Sequence, residues 1–417
     1  MLLTALIPVL DYYASAQPTV MDGKLKVERI LQTTFKPTTM AFKDQQDFFI
    51  LDRNEGKVYR VTHLKLNPDP VLDVNIATDG YRGLLGIAIK KNEARSASNS
   101  DTNVFLYFTE AKSHDGDDQD KSNPQLPLGN RLYKYELKDN QLVKPKLLLD
   151  LPALPGPRHP GGIVEIGPDN NLYVTVGDID GTFKEKYQTM AQNYRNGSFP
   201  DGRSGILRVT QEGKPVDGGI MGNNYPLNLY YAYGVRNCFG IDWDPLTGDL
   251  WDSENGPHYG DEVNRVEPGF NSGWVSVQGI WKPNLDEKGE LSLSPKELVD
   301  FGGKGRYSPP ESIWIPPVAP TAIKFFNSDK LGNQYTNDVF VADANTGSIY
   351  HFDLNEKRTE LKLHGPLKDK IANTIQESKE FIFANGFGRI TDLKIGPDGY
   401  MYVLSSEDDG AVLYKIS

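Results

Sequence analysis

A repeat constrains this chain more than any other feature. Six times, an alternating apolar strand runs into a turn of Gly, Asp or Asn and then into a second strand with a V/L/I-x-K/R/H-aromatic-or-aliphatic core. The instances are "FFILDRNEGKVYRV" (48–61), "VFLYFTEAK…GNRLYKYEL" (104–137), "LYVTVGD…SGILRV" (172–209), "GDLWDSENGP…DEVNRV" (248–266), "VFVADANTGSIYHF" (339–352) and "GYMYVLSSEDDGAVLYKI" (399–416). With Tyr59, Tyr133, Leu207, Asn264, Tyr350 and Tyr414 taken as equivalent, the spacings are 74, 74, 57, 86 and 64 residues. Period-two alternation of β-branched and aromatic residues marks strands. Asn-Glu-Gly, Asn-Thr-Gly and Pro-Asp-Gly supply the turn chemistry of hairpins. Six units of ~70 residues fit an all-β fold, a six-bladed β-propeller of four-stranded antiparallel blades around a central channel. Two stacked sandwiches would not give six like units. The last unit ends at the C-terminus, and "LKVERILQ" (25–32) is expected to join it and close the ring. No long stretch has a 3.6-residue apolar rhythm, so helices are minor, and "QESKEFIF" (376–383) is the best short candidate. A single domain over 20–417 follows.

Composition narrows the function classes. The formal net charge of −11 lacks the basic footprint that nucleic acid requires. A single cysteine, Cys238, excludes a disulfide framework and a Cys-based zinc site. The apolar run at 2–10 is too short to span a bilayer. "ASA" at 14–16 resembles the cleavage site of a signal peptide, although no basic segment precedes it. Residues 1–16 are therefore expected to be an export leader, for a secreted or periplasmic protein, and the alternative is a buried first strand. No Gly-x-Gly-x-x-Gly follows a strand and there is no phosphate-binding loop motif, which argues against a nucleotide-dependent route. The loops 111–129 and 282–310 are long, polar and rich in Pro and Gly. In a propeller such insertions lie on one face, often the binding face. "NGS" at 196–198 is a glycosylation sequon by spelling only. Nothing in the chain marks an oligomeric state.

"RHPGGIVEIGPDNNLYVTVGD" (158–178) sets a lone histidine, His159, beside a Gly pair, and an aspartate, Asp178, follows 19 residues later. Imidazole titrates near neutrality and suits a general base. A carboxylate on its other nitrogen would fix the tautomer. The plainer reading is a solvated loop histidine or a satisfied core one. Gly83, Gly161 and Gly162 either allow close backbone approach or make tight turns. Trp251 and Trp274 read as core between blades rather than as stacking surfaces.

Four stretches together resemble a known family: "DGYRGLLGIAI" (79–89), the His159 segment, "YAYGVRNCFGIDWDPLTGDLWDSENGPHYGDEVNRVEPGFNSGW" (231–274) and "GRITDLKIGPDGYMYVLS" (388–405). The GVRN…SENGP…DE-x-N…N-x-GW series is the specific part. The chain resembles the glucose/sorbosone dehydrogenase family, soluble quinoproteins that use pyrroloquinoline quinone (PQQ), over roughly 45–415. The resemblance implies oxidation of the C1 hydroxyl of aldose sugars or related polyols, with electrons leaving to an external acceptor. It implies His159 as general base and Asp178 as its partner.

The resemblance also implies that Arg236 and Asn237 face the cofactor, with Arg389, Thr321, Tyr81 and Arg158 around it. A tricarboxylate needs cations, and arginine offers a fork that grips carboxylate bidentately. The alternatives are an Arg236 pair with Asp242 and a salt bridge between blades for Arg389. Calcium (Ca2+) wants hard oxygen ligands. The resemblance places one ion on the carbonyls of Gly256 and Pro257 and a second at Asp261 and Glu262, with Ser272, where the alternative is an acidic turn alone. Four positions depart from the family pattern: Tyr81 stands for a Gln, Arg158 for an Asp, Asn345 for a Lys and Thr391 for an Arg. Asn345 and Thr391 support a second reading, a non-catalytic carbohydrate- or protein-binding propeller; a third, a metal-dependent lactonase, is open because several six-bladed propellers are lactonases.

Overall fold

In a computed structural model, residues 17–91, 102–113, 126–179, 188–280, 297–408 and 410–417 are described. Residues 1–16, expected to be a leader, much of the 111–129 loop and part of the 282–310 loop lie outside them. The strands sort into six sheets. Each repeat supplies the second and third strands of one sheet, paired antiparallel: Asp47–Asp52 with Lys57–Thr62, Thr102–Glu110 with Gly129–Lys138, Leu172–Val176 with Gly205–Val209, Leu250–Glu254 with Asp261–Val266, Val339–Asp343 with Ile349–Phe352, and Met401–Glu407 with Gly410–Ile416. We number the blades 1 to 6 in that order. Their innermost strands are Pro37–Asp44, Leu84–Lys91, Val164–Ile166, Cys238–Trp243, Pro320–Phe325 and Arg389–Ile395.

Six apolar clusters, one between each pair of neighbours, hold the ring together. The alternation explains them. In Asp47–Asp52, Phe48 and Ile50 pack toward blade 6 while Phe49 and Leu51 pack toward blade 2. Both faces of the strand are buried, so it reads as a continuous apolar run. Each such side chain contributes roughly 1.5–3 kcal/mol relative to exposure.

The early strand closes the ring as expected: Val27–Thr33 pairs antiparallel with Gly410–Ile416. Thr19–Val20 adds to the outer strand of blade 5. Four strands per blade holds only in part. Blade 3 extends to six, because Phe270–Asn271 and Arg306–Tyr307 add to it in parallel. The helix candidate is a 3-10 turn, Ile375–Phe381; the residues after it form the strand Ile382–Asn385, because Phe383 is drawn into the core between blades 5 and 6. Among the described residues no helix is long and apolar enough to cross a membrane.

Antiparallel connectivity decides where function can sit. The start of every first strand and the turn between the second and third strands emerge at the same end of the ring. His159, Arg236, Thr321 and Arg389 lie at or just before first strands, and Arg53, Asp178 and the 255–260 turn follow second strands.

Three to six residues further along, about 10–20 Å deeper at ~3.4 Å per residue, an ion-pair network crosses the channel. Glu165 of blade 3 accepts from Lys324 of blade 5 at 2.9 Å and from Lys394 of blade 6 at 2.6 Å. Asp242 lies 3.6 Å from Lys324, and Asp392 takes the Thr39 hydroxyl at 2.5 Å and the Met40 N–H at 2.9 Å. Blades 3 and 6 face each other across the ring, so these side chains fill the channel beneath the mouth.

Candidate active site

The opening histidine is built by backbone that only special residues tolerate. His159 sits in the left-handed region (φ 53°) just before the first strand of blade 3. The chain there passes so close to its neighbours that a Cβ on Gly86 would lie 1.8 Å from the Gly162 carbonyl oxygen. A Cβ on Gly177 would meet the carbonyl oxygens of both His159 (2.4 Å) and Arg236 (2.7 Å). Gly177 therefore lets blades 3 and 4 bring His159 and Arg236 together. The Asp178 N–H donates to the Arg236 carbonyl at 2.9 Å, which fixes the junction.

His159 Nδ1 lies 2.6 Å from Asp178 Oδ1, and both residues are buried. A carboxylate accepts from Nδ1–H, which leaves the Nε2 lone pair for a substrate proton. The Tyr81 ring, 45% exposed, lies almost parallel to the imidazole with centroids 6.5 Å apart. Its backbone is tied down by the Tyr81 N–H bond to the Pro157 carbonyl, 3.0 Å.

Arg236 does not pair with Asp242, which serves Lys324 and the Phe325 N–H instead. Its Nη1 donates to the carbonyls of Asn255 and Gly256, both at 2.8 Å, and its guanidinium lies 5.3 Å from the Trp274 ring centroid. Trp251 is core, as expected; Trp274, also buried, lies under that guanidinium. Arg236 Nε and Asn237 Oδ1 are buried with no hydrogen-bond partner. Burial holds the Arg236 guanidinium below its ordinary range, against the pull of Asp178 and Glu254.

Around the turn 255–260, alternation separates residues that are adjacent in sequence. Asp261 and Glu262 are neighbours on one strand, so they point to opposite faces and do not share one site. Asp261 accepts three backbone N–H bonds, from Gly256 (2.8 Å), Val318 (2.8 Å) and Ala319 (2.7 Å), and so shapes the turn. Glu262 faces blade 3 and is buried there with Glu254 and Asp252. The Ser272 hydroxyl donates to Glu254 at 2.9 Å and to Glu262 at 3.3 Å, and Asn264 Nδ2 joins Asp252 (3.0 Å) to Glu262 (3.1 Å). Burial, reinforced by the neighbouring carboxylates, pushes all three acids upward. Sequence reasoning passed over Asp252 and Glu254, although a signal existed. At the position where the other hairpins pair Ile50, Leu106, Val174, Val341 or Val403 with the repeat residue, blade 4 pairs Asp252 with Asn264.

The remaining residues divide. The Thr321 hydroxyl donates to the Ile390 carbonyl at 2.9 Å and joins blades 5 and 6. Arg389 is exposed and makes no ion pair among the described residues; Arg158 is exposed beside His159. Asn345 Nδ2 donates to the Pro317 carbonyl (3.0 Å), and the Thr391 hydroxyl to the Leu404 carbonyl within its own blade (3.3 Å).

A family model described as glucose/sorbosone dehydrogenase matches residues 34–414. An uncharacterized protein of Synechocystis sp. is 24% identical over 408 residues, 94% of this chain and 86% of its own. Quinoprotein glucose dehydrogenase B of Acinetobacter calcoaceticus is 28% identical over 339 residues, 73% of this chain and 66% of its own. Among solved structures, the PQQ-bound aldose sugar dehydrogenase of Streptomyces coelicolor shares the fold at a TM-score of 0.63 and 20% identity, covering 96% of this chain and 100% of that one.

Proposed function

The chain belongs to the glucose/sorbosone dehydrogenase family, and on that premise we propose that it is a PQQ-dependent dehydrogenase of the C1 hydroxyl of aldose sugars or related polyols. One observation carries the reading: the buried His159–Asp178 pair is joined through its backbone to Arg236, and beside it Arg236 Nε and Asn237 Oδ1 are buried without a hydrogen-bond partner. Buried polar atoms are normally satisfied. A planar ligand rich in carboxylate and carbonyl groups fits such a set; Arg236 and Asn237 would hold it, with Arg389 and Tyr81 at its border.

His159 Nε2 takes the proton of the C1 hydroxyl as the C1–H bond breaks, and Asp178 stabilises the imidazolium that results. When bound, PQQ supplies the acceptor for the hydride leaving C1, and an external acceptor then removes the electrons. The ion-pair network closes the channel below, so sugar enters from the mouth. The test is reconstitution: wild-type protein with PQQ and Ca2+, assayed by dye-linked oxidation of an aldose panel. A protein saturated with quinone and calcium yet inert toward every aldose would favour a binding propeller instead. Lactone hydrolysis without quinone would select the lactonase.

The residues that would hold calcium are Gly256 and Pro257, through their carbonyls, and Glu262 with Ser272 in the acidic pocket. Crowded buried carboxylates gain most from a cation. Chelation should therefore lower both the melting temperature and PQQ affinity, because a ion bound only by the folded state stabilises it by mass action. Superimposable melting curves in chelator and in excess Ca2+ would count against these sites.

Export through residues 1–16 completes the proposal. An extracellular or periplasmic form that still begins at Met1 would overturn it.

A further inference from the structure

Two arginines stand at the mouth on neighbouring blades, and neither is held by a carboxylate among the described residues. Arg53 follows the second strand of blade 1, and Arg389 opens the first strand of the neighbouring blade 6. Arg53 directs Nε at the Arg82 carbonyl (3.1 Å) and one Nη2 hydrogen at the Gly80 carbonyl, so it braces the loop that carries Tyr81. Guanidinium has five N–H donors, and those two bonds leave the rest of the fork without an acceptor among the described residues. Neither arginine makes an ion pair among the described residues, although this chain elsewhere pairs its arginines freely, as at Arg60–Asp47, Arg131–Asp150 and Arg358–Asp244. Burial, and then the positive charge of Arg389, hold Arg53 below its ordinary range. Like charges so placed are relieved by an anion that both can reach.

We propose that Arg53 and Arg389 form a paired-guanidinium clamp for one carboxylate of the bound cofactor. Arg53 thereby supplies the second cation that the family pattern carries at the position of Thr391. The Thr391 hydroxyl is engaged within its own blade and leaves that role open. The inference rests on the quinone reading of the site.

The experiment is equilibrium binding of PQQ to apo-protein at fixed Ca2+, followed by quenching of protein fluorescence, for wild type, R53Q, R389Q, the double variant and R53Q/T391R. Each single change should weaken PQQ by roughly 10- to 100-fold, the worth of charge-assisted bonds to one carboxylate. The double variant should lose less than the product of the two. R53Q/T391R should recover at least tenfold over R53Q, since a second guanidinium returns to the strand that carries Arg389. Melting curves of the apo-proteins show whether R53Q is folded; if it is not, R53K, which keeps the charge but not the fork, should show a smaller loss of the same kind. Wild-type affinity in R53Q overturns the clamp. Weakened binding that T391R does not restore also overturns it, and leaves Arg53 a brace for the Tyr81 loop. A wild type that binds no PQQ would instead overturn the reading of the site itself.

Discussion

Replacing His159 by alanine should lower turnover by roughly 10²- to 10⁴-fold, the usual worth of a positioned acid–base group. PQQ affinity should stay within a few-fold of wild type, because the cofactor would be held by arginines, backbone carbonyls and calcium. The split between the two readouts is the test. Asp178→Asn probes the same pair differently. The amide keeps the volume but can present N–H to Nδ1, which moves the imidazole proton to Nε2 and removes the lone pair that faces the substrate. It also removes the charge that stabilises the imidazolium formed as the proton is taken. Turnover should fall, by less than in His159→Ala, with binding again preserved. A His159→Ala protein that oxidised sugars at near wild-type rate would end the mechanism.

Glu165→Gln should produce the largest loss of stability. It leaves Lys324 and Lys394 in the channel without their shared carboxylate. Breaking a buried pair from one side typically costs 3–5 kcal/mol; Asp242 and Asp392 still face the two lysines, so we expect about 2–4 kcal/mol by denaturant unfolding. The pH dependence has a definite direction. Burial raises the Glu165 carboxyl, but the two lysines outweigh it and hold it at about 2, below the ordinary 4.5. A depressed folded-state value means that the stabilisation is complete above pH ~4.5 and disappears as pH falls toward 2. Wild type should therefore lose this contribution over that acid range, and the glutamine variant should lack that part of the slope. Equal unfolding midpoints for the two proteins at pH 7 would show that the network contributes nothing.

The fold was legible because the information is local. Phe48–Leu51 is apolar on both faces and ends in a turn of Asn, Glu and Gly, and such a segment has few ways to be satisfied outside a blade flanked on both sides. His159 and Asp178 were legible because one strand and one short loop join them. Arg53 was not, since inside "DRNEGK" it looks like any hairpin-turn residue, and its partner lies on the far side of the ring closure. Asp261 and Glu262 differ again: the resemblance implied one calcium site at both, and strand alternation puts their side chains on two faces. Lys324, Lys394 and Glu165 come from three blades, and nothing short of the closed ring brings them together. Parallel additions of two residues, such as Phe270–Asn271, carry too little pattern to be seen in advance.

The seam between Val27–Thr33 and Gly410–Ile416 also sets a timetable. The two strands are separated by most of the chain, and at the ~5–20 residues per second of protein synthesis the first waits roughly 20–75 seconds for the second. Five blades can stack as they emerge, each on its predecessor, but the sixth lacks its outer strand only in the sense that this strand was made first and has stood unpaired since. The Lys26 N–H finally donates to the Ser417 carbonyl at 2.8 Å, and the Ser417 N–H back to Lys26 at 3.0 Å. The two ends of the ring are thus neighbours in space, so a linker could join Lys26 to Ser417 and new termini be opened at an exposed turn, such as Thr247–Gly248, which makes blade 6 contiguous and moves the seam to blade 4.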